Sequence, residues 1–130
     1  MAFPEDQPDV LEAPPPEAAA LKRAALESGF AVLELDGAKM RGKAELLEHM
    51  AAALKFPADF GANWDAAVDY LSDLPSFHPS EKFLVVIGNR AEIRRDPALY
   101  GELFQTLEFA AQRARRMQGC PALKFILSGE

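Results

Sequence analysis

The run Phe83-Leu84-Val85-Val86-Ile87 is apolar throughout and is bounded by Lys82 on one side and Gly88-Asn89 on the other. Such a short, β-branched run predicts a strand buried on both faces, which is the pattern of a parallel sheet packed with helices. Two further runs fit the same sheet: Phe30-Ala31-Val32-Leu33-Glu34-Leu35, closed by the turn pair Asp36-Gly37, and Ala122-Leu123-Lys124-Phe125-Ile126-Leu127. Helical patterns separate the three. Over 43–55 the stripe is Leu46, Leu47, Met50 and Leu54, with Glu45, Glu48 and His49 toward water. Over 101–117 it is Leu103, Phe104, Leu107, Ala110 and Ala111, with Gly119 as terminator. The stretch 91–100, interrupted by Pro97, reads as an irregular or partly helical link. Strands alternating with helices imply right-handed crossovers, hence an α/β fold around a small three-stranded parallel sheet.

Ahead of that domain, which spans 30–130, the chain divides in two. Residues 1–16, with Pro4, Pro8 and Pro14-Pro15-Pro16, predict an extended or disordered arm whose removal leaves stability nearly unchanged. Residues 17–29 predict a helix stopped by Gly29, with a thin stripe of Ala20, Leu21, Ala24 and Leu26, suited to covering a sheet edge or making a dimer contact.

One helix carries an unusual charge pattern. Asn63 sits at an N-cap position and Pro75 cannot continue a helix, so the span is Trp64 to about Asp73, entered through a Gly61 free to take positive φ. Ala67, Tyr70, Leu71 and Leu74 form the buried stripe. Asp65, Asp69 and Asp73 recur every four residues on another side. Asp65 is accounted for by the helix N-terminus; Asp69 is not, and Asp73 lies where the dipole disfavours an anion. Because no Lys or Arg occurs between Lys55 and Lys82, nothing nearby in sequence relieves the repulsion. A solvated face and a docking surface for a basic partner both fit this row. Trp64, in the first turn, suits either a contact with a partner or partial packing in the core, and the second is the preferred reading.

Pro57, Phe60-Gly61, Asn63, Asp65, Asp69 and Leu71 resemble the motif P-x-(aromatic)-(aromatic)-G-x-N-x-D-A-x-x-D-x-L of the barstar family, intracellular inhibitors of small ribonucleases. The resemblance extends from about Phe30 to Ser128. It implies that the loop from Pro57 to Asn63 and the following helix block the active site of a basic ribonuclease. Asp69 would take a substrate phosphate position and Asp65 a second anchor, with Gly61 and Asn63 shaping the loop. Asp59, Val68, Ser72 and Asp73 would complete the contact surface, and the chain would be a monomer or weak dimer. Departures from the best-known member fall at Asp59, Val68, Leu74 and Ala114, the last flanked here by Arg113, Arg115 and Arg116. These point to a different cognate enzyme.

Other readings find less support. The formal charge of −6 argues against direct nucleic-acid binding, and 49% hydrophobic residues exclude a disordered chain. With no secretory signal and no long apolar segment, the expected location is cytoplasmic. A metal site from Asp65, Asp69, Asp73 and His78 lacks a recognisable spacing, and Ser72 has no nucleophile context, so neither a metal, a cofactor nor an enzymatic activity is expected. Cys120, alone, reads as a small buried residue. The alternative to inhibition is a barstar-like adaptor for another basic protein.

Overall fold

In the computed structural model, residues 8–116 and 122–129 are described; the expectations for Cys120 and Gly119 lie outside them. The elements are β1 (Val10–Ala13), α1 (Pro15–Glu27), β2 (Ala31–Asp36), α2 (Lys43–Leu54), α3 (Trp64–Ser72), β3 (Lys82–Gly88), α4 (Arg90–Arg94), α5 (Pro97–Arg116) and β4 (Ala122–Ser128). All strand pairs are parallel, in the order β1-β4-β3-β2.

That order explains why both sheet faces are covered. The chain crosses from one edge, β1, to the other, β2, and then returns inward through β3 and β4. Right-handed connections running in opposite directions place their helices on opposite faces. Thus α1 lies on one face, where Ala18, Leu21, Ala24 and Ala25 meet Leu84, Val86 and Ile126. Helices α2, α3 and α5 lie on the other, where Leu47, Met50, Ala67, Leu71, Leu103 and Leu107 join Phe83, Val85, Ile87 and Phe125. Successive β3 residues alternate between the two cores, as a doubly covered strand requires.

The sheet has four strands, not three. The added strand, β1, lies within the stretch expected to be extended or disordered, and it is extended but firmly paired. The Phe125 N–H donates to the Asp9 carbonyl at 2.8 Å and the Gly129 N–H to that of Ala13 at 3.1 Å. Val10 and Ala13 are buried. The Asp9 carboxylate pairs with Arg115 at 2.5 Å and Lys124 at 3.3 Å, while Glu12 accepts the Tyr100 hydroxyl at 2.5 Å and pairs with Arg90 at 3.2 Å. Pro8 and Pro14 flank the strand without removing any of its own N–H groups.

Two helix starts also differ from expectation. Helix α1 begins at Pro15, because prolines in a first turn lack only N–H groups that would go unpaired there. Its buried face is Ala18, Leu21, Ala24 and Ala25, whereas Ala20 and Leu26 are exposed. Pro97 likewise opens α5 instead of interrupting a link. Asp96 precedes it as the cap, accepting the Leu99 N–H at 3.2 Å, and α4 occupies the start of the supposed link.

Candidate functional site

The loop from Pro57 to Asn63 is turned by short-range bonds and held from beneath by rings. The Phe60 N–H donates to the Pro57 carbonyl at 3.1 Å, and Phe56, Phe60, Tyr70 and Phe77 form a cluster with ring centroids 5.0 to 6.1 Å apart. Positive φ falls on Ala62, at 50°, and not on Gly61 as the sequence suggested. A side chain at Gly61 would meet the Asn63 amide at 3.2 Å, so the glycine leaves room for the cap.

Asn63 is that cap. Its Oδ1 accepts the Ala66 N–H at 2.8 Å, while its Nδ2 donates back to the Gly61 carbonyl at 3.3 Å, so one side chain joins loop to helix. Helix α3 is then anchored by Ala67 and Leu71 in the main core, with Leu74 just beyond. Trp64 packs half-buried against that core as expected; its indole N–H donates to Glu102 at 3.0 Å, and Lys43 stands 5.9 Å from the ring centre.

The candidate contact residues separate by exposure. Asp59, Gly61, Asn63, Asp65 and Asp69 are exposed; Val68 and Asp73 are half-buried. Ser72 departs from the set: it is fully buried, its hydroxyl donating to the Asp69 carbonyl at 3.0 Å. It stiffens the backbone under Asp69 and offers a partner nothing. Asp73 accepts the Ser76 hydroxyl at 2.6 Å, a local role for an anion otherwise misplaced at a helix end.

Tyr70, expected wholly within the buried stripe, is half-buried and donates to Asp59. That hydrogen bond, with burial and the nearby Asp59 and Asp69 charges, raises its phenol pKa. Asp69 itself is relieved across space: Arg113 of α5 pairs with it at 2.8 Å, with more than half of each side chain in water. The relief comes from outside the stretch between Lys55 and Lys82, which itself holds no basic residue. Lys43 and Glu102 are site neighbours that sequence reasoning missed, and Arg113, noted there only as flanking Ala114, is brought to Asp69 by tertiary topology.

His78, weighed as a metal ligand, hydrogen-bonds the Leu54 carbonyl at 2.7 Å. Among the described residues no group of three or more His, Cys, Asp or Glu is placed to hold a metal ion, and no helix is long and apolar enough to cross a membrane. What the arrangement does offer is a rigid, capped helix presenting carboxylates outward, suited to meeting a cationic cleft.

No curated protein matches this chain. Residues 30–125 match the family model described as Barstar (barnase inhibitor). That match covers β2, β3 and all of α2 to α5, including the capped acidic helix, and the chain therefore belongs to the barstar family, a family of inhibitors that bind barnase-type ribonucleases.

Proposed function

We propose that this protein inhibits a basic ribonuclease by inserting the loop from Pro57 to Asn63 and helix α3 into the enzyme's active site. The observation that carries the reading is the placement of exposed Asp65 and Asp69 on a helix whose start is capped by Asn63 and whose inner face is locked into the core. A carboxylate held this way meets enzyme cations without the ordering cost of a flexible loop. Asp69 occupies the position of a substrate phosphate, Asp65 supports it, and Asp59, Gly61, Asn63, Val68 and Asp73 surround them. The protein acts as one copy per enzyme in the cytoplasm.

The test is titration of the purified protein into barnase and a panel of small basic ribonucleases while RNA hydrolysis is followed. Inhibition complete at one equivalent, and lost in the Asp65→Asn/Asp69→Asn double variant, is the expected result. Binding without inhibition across the panel would replace this reading with that of an adaptor.

A further inference from the structure

On its α5 side, α3 meets a seam fixed by two side-chain contacts. Trp64 donates to Glu102 at 3.0 Å near one end, and Arg113 pairs with Asp69 at 2.8 Å near the other. Glu102, Thr106, Phe109 and Arg113 follow i, i+4, i+7, i+11 spacing, one stripe along α5 whose two ends both touch α3. Phe109 therefore stands along the seam between those contacts. It is 52% exposed, and among the described residues the other large hydrophobic so open is Leu26, on the opposite face of the sheet. Phe109 is thus a single aromatic left half in water on the side of α5 that meets the acidic helix, of the residue class that anchors protein interfaces when a partner covers it.

Arg113 adds a second feature. Its side chain is 53% exposed and that of Asp69 58%, so the pair is open to exchange with an incoming group. Arg113 already offers Asp69 the guanidinium that an enzyme's cationic cleft would offer.

We propose that the interaction surface runs across the seam from α3 onto α5, with Phe109 as its apolar contact and Arg113 as an internal stand-in that the partner's cation displaces from Asp69. The inference rests on the inhibitor reading above. The partner it fits is a basic ribonuclease with an apolar patch beside its cationic cleft. Selectivity follows, because a cation gains at Asp69 only by binding it better than Arg113 does, a threshold that weakly basic proteins fail.

The experiment measures binding to barnase and the ribonuclease panel for Phe109→Ala and for Arg113→Gln, the latter in both the wild-type and Asp69→Asn backgrounds. Phe109→Ala should weaken binding at least tenfold while lowering the melting temperature of the free protein by at most about 4 °C, since only the covered half of the ring is lost and Ala is the better helix former. Arg113→Gln should tighten binding about two- to fivefold, the range an exposed pair supports, and should do so only where Asp69 is present. An equal gain in both backgrounds would reduce Arg113 to a long-range repulsive charge and overturn the stand-in. Wild-type binding by Phe109→Ala overturns the extended surface. If the unmodified protein binds no ribonuclease, the inhibitor reading fails and this inference with it; binding that needs Asp69 but ignores Phe109 and Arg113 removes this inference alone.

Discussion

Asp69→Ala separates folding from recognition, because its effect on the free protein is a near cancellation. Removing the charge ends repulsion from Asp65 and Asp73, each four residues away, worth about 0.2–0.5 kcal/mol per pair. Ala in place of Asp adds about 0.5 kcal/mol of helix propensity. Against this stands the lost ion pair to Arg113, whose members are more than half exposed; such pairs contribute about 0–1 kcal/mol after solvent screening. The free variant should therefore be between unchanged and about 1.5 kcal/mol more stable, a melting temperature at most about 6 °C higher. Bound to a ribonuclease, the same change leaves desolvated enzyme cations unpaired, which costs at least about 2 kcal/mol, or about thirtyfold in affinity. Thermal denaturation and calorimetric binding on one preparation provide the comparison. A variant that is unfolded when free, or that binds as tightly as the unmodified protein, refutes the assignment of α3 as the recognition surface.

Deleting residues 1–13 should lower the melting temperature by more than about 5 °C, beyond roughly 1 kcal/mol, because it removes buried Val10 and Ala13 together with the ion pairs of Asp9 and Glu12. This reverses what the proline-rich composition suggests, and a smaller drop in a thermal melt would show that β1 contributes little. A pH effect follows from His49, whose Nε2 accepts the Asp36 N–H at 2.9 Å and so must be unprotonated. Burial and then Lys39 lower its pKa, with Asp36 opposing. A base whose folded pKa lies below its unfolded value, about 6.5, costs no stability above that pH and progressively more as pH falls toward the folded value. The melting temperature should decline from pH 7.5 to pH 5.5, and His49→Ala should flatten that part of the profile; an unaltered slope would discount the histidine.

What was legible in the sequence is what local patterns determine. The Asn63 cap, the buried positions Ala67, Leu71 and Leu74, and the three long strands each carry their signal within a dozen residues. Strand β1 does not. Val10-Leu11-Glu12-Ala13 is too short for a period, has a charge in its middle, and pairs with residues more than a hundred positions away. Pro97 misled for a related reason: proline breaks a helix interior but opens a first turn, and only the Asp96 cap separates the two cases. The acidic row was read correctly as outward-facing at Asp65 and Asp69. Its relief by Arg113 was invisible because the pair joins residues 44 positions apart on two different helices. Ser72 lies beside Leu71 at the margin of the buried stripe, where face arithmetic from spacing alone does not decide burial.

The run at β3 demands more than the family match contains. Phe83, Val85 and Ile87 point into the core shared with α2, α3 and α5, but Leu84 and Val86 point the other way, where the covering residues Ala18, Leu21, Ala24 and Ala25 all precede the matched segment 30–125. Without that cover each of those two side chains would forfeit about 1.5–3 kcal/mol of burial, so the β1–α1 unit completes the fold as a second layer. The same unit also holds α5, through Glu12 on Tyr100 near one end of the helix and Asp9 near the other. Asp9, at the start of β1, pairs with Arg115 at 2.5 Å, two residues beyond the Arg113 that occupies Asp69. Burial raises and the hydrogen bonds and charges of Arg115 and Lys124 lower the Asp9 pKa, with a net depression that keeps the carboxylate ionised until well into acid. The last turn of α5, which carries Arg113, is thus tied to the β1 edge of the sheet by the stretch expected to be extended or disordered.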